Sequence, residues 1–255
     1  MTTERPETFA ATIAALTAVM DECSERDDRA GYFAAMYLAV TRTVKARAAA
    51  GSFDDPARME RFASRFAGRY LDAYDNWRAG EPTSESWAVA FRTAARWRPV
   101  ALQHLLLGMN AHINLDLGVT AAVFAGPGGL ADVRRDFDAI NGVLSDLVDA
   151  CQGAVGTISP WIALVDRTGR GSDEAVLRFS LVLARHQAWA VAERLHALGI
   201  DARDGATVEV DASAARIARR VCRPGFRSEL LLLLVRLRER HRPREVIEVL
   251  DAVAL

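Results

Sequence analysis

A chain of 255 residues with a formal net charge of -1, in which 51% of the side chains are hydrophobic and 7% aromatic, has enough apolar surface for a sizeable core. That charge balance gives no global field to draw nucleic acid or an anionic membrane, so neither is expected as a partner. Cys23, Cys151 and Cys222 are widely separated and form no C-x-x-C pair, which speaks against a disulfide framework or a structural zinc site and predicts a reducing, cytoplasmic setting.

Lys45 is the only lysine, and no Gly-rich turn precedes it. Schiff-base and Walker-type chemistry both need a placed lysine, so neither pyridoxal phosphate nor a nucleotide is expected as cofactor. The first residues mix acidic and basic side chains ahead of a broken apolar stretch, which predicts no signal peptide.

Helical periodicity recurs along the chain, and the fold class expected is all-α, with about ten helices packed around a buried central one. Thr8 to Arg26 and Tyr32 to Ala50 form the first two, with a break at Asp27 to Gly31. Asp55-Pro56 supplies an N-cap and an N1 proline to a third helix that runs to about Arg78 and stops at Gly80 to Thr83. Ser86 to Arg98 makes a short Trp- and Arg-rich helix, and Pro99 starts the central helix afresh.

The central helix spans 99–118 and is apolar nearly all round, yet it carries Gln103, His104, Asn110, His112, Asn114 and Asp116. Burying such groups costs ~1–3 kcal/mol each unless each finds a partner, which marks the helix as the candidate functional centre.

Beyond the break at 126–129, Leu130 to Gln152 carries a packing stripe of Val133, Phe137, Ile140, Leu144 and Leu147. Ser159-Pro160 caps a short turn. Asp173 to Leu198 follows, with Val176, Phe179, Leu183 and Ala190 among its apolar positions. His186 and Glu193 fall on that stripe and are expected to face inward. Arg185, one turn before Trp189, is expected to stack on it, and all five tryptophans are expected in the core or at its boundary. Ala206 to Val210 alternates enough for a short strand. Leu230 to Val235 reads as a core helix segment, too short to span a membrane. Arginines gathered between Arg216 and Arg244 read as the solvated faces of amphipathic helices. One domain over 1–255 is expected, with Gly199 to Gly205 as the boundary if 206–255 forms a small C-terminal subdomain.

On an α-helix, His104, Gly108, His112 and Asp116 form a ladder of four-residue steps, with Gly108 leaving room for a ligand. Gln103, Asn110 and Asn114 fall on a second stripe, suited to holding polar groups of a substrate. His112 oriented by Asp116 suits acid–base work on a small molecule, with His104 as a second proton donor. No nucleophile accompanies them, since Ser145 and Cys151 sit in no recognisable elbow or thiolate setting.

A second reading is a hydrolase or oxygenase with a divalent metal on His112, Asp116 and His104, completed by Asp138, Asp166, His186 or Glu193. No H-E-x-x-H or paired E-x-x-H motif supports it. A third is a non-catalytic scaffold or interaction protein, with the basic C-terminal helices as contact surface, in which these groups only fix helix register.

The string Gly108-Met109-Asn110-Ala111-His112-Ile113-Asn114-Leu115-Asp116-Leu117 resembles the signature of a bacterial, mainly actinobacterial, family of helical proteins described as a domain of unknown function. Phe33-x-x-x-Tyr37 with Thr41, Phe66-Ala67-x-Arg69-Tyr70 and Ala184-Arg185-x-x-Ala188-Trp189 look like its secondary motifs, although each is ordinary helix sequence by itself. The resemblance implies an all-helical fold with the Asn110 to Asp116 segment as its centre. It brings no reaction, substrate or cofactor.

Overall fold

The computed structural model describes residues 5–125, 129–159, 181–198, 200–239 and 241–253; the side chains of 141–152, 181–182 and 200–201 are not described. Capping chemistry sets the first helix starts. The Thr8 hydroxyl accepts the Ala11 N–H at the head of α1 (Phe9–Glu25), and Asp55 accepts the Arg58 N–H ahead of α3 (Pro56–Ala79), with Pro56 in the first turn. Between them lies α2 (Gly31–Ala49). Gly80 ends α3 at φ 77°, a left-handed conformation that favours glycine.

The fourth helix, α4 (Glu85–Ala94), stops short of the expected Arg98, and the central helix begins at Ala101 rather than Pro99. That helix is continuous but not uniform. It runs as α5 (Ala101–Ala111), a π-helical turn (His112–Leu117) and α6 (Gly118–Phe124). Next come α7 (Ala131–Ile158), α8 (Leu181–His196), α9 (Ile200–Cys222), α10 (Phe226–Arg236) and α11 (Pro243–Asp251). Among the described residues there are eleven α-helices and no strand, so the fold is all-α. None of these helices is long and apolar enough to cross a membrane.

The strand expected at Ala206 to Val210 is overturned. Those residues sit inside α9, where Ala206 and Val210 are buried one turn apart and Val208 is 69% exposed. A five-residue alternation is also compatible with two residues of a helical stripe, and helix packing decides. Leu230 to Val235 is helical as expected but faces the core on one side only: Leu232 and Val235 pack with Val100 in a hydrophobic cluster, while Leu230 and Leu234 are exposed. The expected turn at Ser159-Pro160, and Leu144, Leu147, Ser145, Cys151, Trp161, Val176 and Phe179, fall outside the described residues or side chains.

The central helix is enclosed. Its first part packs on α2, α4, α7 and α9, its π turn on α3, α8 and α9, and α6 on α3 and α8. Gly118 permits the close approach of α8, since a Cβ there would lie 2.8 Å from the Ala188 carbonyl oxygen. Glu239 closes the helix's N-terminus, its two carboxylate oxygens each 3.2 Å from the Ala101 N–H. Arg236 and the Ser159 hydroxyl both bond to Glu239, so the ends of α7 and α10 meet at this cap.

Candidate functional site

Asp116 and His112 are 2% and 3% exposed, at the two ends of one turn of the π-helical segment. Such a turn inserts an extra residue into the helix and is often retained at functional positions. Asp116 receives three donors: Arg69 Nε at 3.1 Å on Oδ1, and Trp87 Nε1 at 2.9 Å and His112 Nδ1 at 3.1 Å on Oδ2. A carboxylate only accepts, so the His112 proton resides on Nδ1 and Nε2 presents a lone pair. Nε2 is buried and has no hydrogen-bond partner among the described residues.

An aromatic cage surrounds the imidazole. Phe66 stacks flat on it with centroids 3.7 Å apart, and Tyr37 meets it edge-on at 4.5 Å. Phe33, Trp87 and Tyr70 complete the cage at 5.5, 6.2 and 6.4 Å. Burial among these rings lowers the His112 pKa despite the neighbouring Asp116, which pulls the other way. Burial likewise raises the Tyr37 and Tyr70 hydroxyls well above their ordinary value.

The expected ladder is interrupted. Gly108 lets Phe33 pack close, since the ring carbon Cγ would stand 2.5 Å from a Cβ at that position, and it also lines the small cavity beside His104 and Tyr70. His104 lies beyond it, buried and edge-on to Tyr32 at 5.7 Å, with the Pro99 backbone in reach of its ring. Burial, reinforced by the positive charges of Arg29 and Arg236, pushes its pKa down to about 3.

The second stripe is spent on helix contacts. Gln103 accepts the Val100 N–H and donates to the Val221 carbonyl at 2.7 Å, Asn110 donates to the Ala214 carbonyl at 2.9 Å, and Asn114 donates to Asn110. The Gln103 and Asn110 bonds to these carbonyls tie the central helix to α9.

The proposed metal donors do not assemble. His186 and Glu193 lie on the exposed side of α8, where Glu193 accepts the Trp189 indole N–H at 2.8 Å. Leu183, on the same expected stripe, is 56% exposed. The buried stripe is instead Ala184, Ala188, Ala192 and Leu195, whose small side chains give a weaker periodic signal than Leu183. Asp138 pairs with Arg134 at 2.7 Å, and Asp166 lies outside the described residues. Among the described residues no three His, Cys, Asp or Glu side chains converge, and Asp116 already faces a guanidinium. That donor set does not suit a cation.

Arg185 and Trp189 also differ from expectation. Arg185 lies over Phe137 at 4.3 Å, and Arg134 takes the Trp189 face at 4.5 Å. Trp97 is half exposed, with Arg236 over its ring.

Arg69, Trp87, Phe66, Tyr37, Tyr70 and Phe33 complete this site from outside the central helix. All but Trp87 belong to the secondary motifs Phe33-x-x-x-Tyr37 and Phe66-Ala67-x-Arg69-Tyr70. Two motifs on separate helices, each with aromatics four apart, were the available signal, and they converge on the third.

Residues 9–224 match a family whose description reads "Family of unknown function (DUF5995)", and the chain belongs to that family. The matched region holds the central helix and the whole cage, and ends before α10. No curated protein and no solved structure matches the chain.

Proposed function

We propose, from the premise of membership in this family, that the chain is a small-molecule enzyme whose His112–Asp116 pair performs acid–base chemistry. The observation that carries this reading is the His112 Nε2 lone pair, buried and unpartnered among the described residues while Nδ1 is committed to a carboxylate. In this reading Nε2 takes a proton from an O–H, N–H or activated C–H of the substrate. Asp116 stabilises the imidazolium so formed and holds the ring's orientation, and the proton returns to product from the same nitrogen.

Phe33, Tyr70 and Trp87 belong both to the cage and to the lining of a small cavity of about 20 Å³, room for a water-sized guest one aromatic layer from the histidine. A purely structural network is the competing reading. It is favoured by Gln103 and Asn110, whose amides bond to the neighbouring helix α9, and by Asn114, which bonds to Asn110 within the central helix.

The test is incubation of the protein with a cell-derived pool of small molecules in heavy water, followed by mass spectrometry. Wild type is expected to deuterate or convert particular compounds that folded His112→Gln leaves untouched. Identical profiles for the two proteins would assign the network to packing alone.

A further inference from the structure

The helix α10 turns a row of apolar side chains to solvent. Phe226, Leu230, Leu234 and Leu237 follow one another at steps of four, four and three residues. That spacing keeps them within a sector of about 80° on the helix surface. Phe226 is 83% exposed and the three leucines about half exposed, while Leu232 and Val235 on the opposite face pack with Val100. The row presents on the order of 450 Å² of apolar surface, the size of patch that marks a contact site on a monomeric protein.

Its surroundings are basic. Arg223 and Arg227 bracket Phe226, and Arg216 and Arg220 lie on the last turns of α9. All four are exposed, and no carboxylate pairs with any of them among the described residues. Arg219 is paired with Glu85 at 2.9 Å, and Glu229 is the only acid in α10. The exposed run Arg96-Trp97-Arg98 stands beside the last turn of α10, where Arg236 donates to the Trp97 carbonyl at 2.6 Å and lies over its ring at 5.2 Å. An exposed indole flanked by arginines suits the boundary between water and lipid.

Charge and area select what covers this face. A second copy of the chain would set arginines against arginines, and the row supplies about half of the ~800 Å² that each partner gives to a stable dimer. A nucleic acid would meet the charges and leave the apolar row in water. A partner helix would need a seam of several heptads, whereas α10 has 11 residues. A bilayer with anionic headgroups meets both features, with phosphates at the arginines and acyl chains under Phe226 and the leucines.

We infer that α10, with Arg223 and the Trp97 segment beside it, is a docking surface for an anionic phospholipid bilayer. The helix is far too short to cross and lies along the surface. The net charge of -1 supplies no overall attraction, so the local arginines supply it. The apolar row lies beyond the family-matched residues 9–224, at the C-terminal end of this chain. Docking there is independent of whether His112 acts as a base.

The test is flotation of the full chain with vesicles of phosphatidylcholine alone and of an equal mixture of phosphatidylcholine and phosphatidylglycerol. Binding to the mixed vesicles is expected to be at least about tenfold tighter than to phosphatidylcholine. Arg223→Gln combined with Arg227→Gln should weaken it by about tenfold or more, and so should Phe226→Ser combined with Leu230→Ser. These side chains are exposed, so both variants are expected to keep the wild-type melting temperature, measured alongside. No flotation with the mixed vesicles, equal flotation with both kinds, or undiminished binding in either variant would each overturn the proposal. A dimer in sedimentation equilibrium that Phe226→Ser with Leu230→Ser disperses would overturn it in favour of a second copy.

Discussion

The ring of Phe66 lies flat on the imidazole of His112, with centroids 3.7 Å apart and planes 10° apart. Stacking at that distance excludes water from one face of the histidine, and exclusion of water is the largest influence lowering its pKa. Phe66→Ala is therefore expected to raise the His112 pKa toward its ordinary value and to cost about 1–3 kcal/mol of stability. The imidazole C–H resonances followed by NMR across pH 5 to 8 report the shift. A His112 signal that titrates identically in both proteins would mean the stacking does not set its protonation.

Asp116 holds three donors in a buried setting, so its removal leaves Arg69, Trp87 and His112 unpaired together. Asp116→Ala is expected to destabilise by about 3–5 kcal/mol, the range for breaking a buried charged pair from one side. Arg69 is 36% exposed at its side chain and stays hydrated when alone, so Arg69→Ala should cost clearly less. The double variant is expected to lose less than the sum of the two, as denaturant titration of all four proteins would show.

How much of this was legible in the sequence follows from what each signal measures. Periodicity reports burial, so the all-α class, the central helix and the pair His112–Asp116 could be read directly. The π turn and the seating of Phe33 over Gly108 could not, because both depend on which residue a neighbouring helix presents. A run of polar residues on one apolar helix likewise cannot say which have partners. Gln103 and Asn110 find theirs on α9, while the Nε2 of His112 finds none among the described residues. The inward orientation expected for His186 failed because α8 buries its alanines instead.

Gly108 offers a sign test of that packing. Replacing a mid-helix glycine by alanine ordinarily gains about 1 kcal/mol from propensity. Here the added Cβ would sit 2.5 Å from Phe33, and overpacking costs about 1–3 kcal/mol. Gly108→Ala is expected to be destabilising, and Phe33→Leu in the same chain should recover part of the loss. A stabilised Gly108→Ala in denaturant unfolding would mean Phe33 moves aside freely.

Glu239 caps the N-terminus of the central helix from a segment beyond the family-matched region, and it is buried with Arg236 and Ser159 against it. Glu239→Ala removes the acceptor of the Ala101 N–H and strands Arg236, for an expected loss of about 3 kcal/mol. Ser159→Ala removes one bond and should cost about 1 kcal/mol. Hydrogen exchange at Ala101 to His104, faster in Glu239→Ala than in Ser159→Ala, would locate the effect at the helix end. A uniform increase over the whole chain would place it elsewhere.

Acid stability follows from the two buried histidines. His104 has its folded pKa pushed down to about 3, and His112 is lowered as well, in both cases chiefly by burial. The unfolded chain therefore binds more protons than the folded one below pH ~6.5, and stability present above that pH is lost as pH falls. Each such histidine contributes a slope of at most about 1.4 kcal/mol per pH unit over the interval between its unfolded and folded pKa. Burial raises the Glu239 pKa, which acts in the opposite sense because its protonated form favours the folded state. The melting temperature is expected to fall between pH 7 and pH 5, where the histidine slopes operate first. In folded His104→Gln that fall should be about half as steep. An unchanged slope in that variant would assign the pH dependence to His112 and to groups outside the central helix.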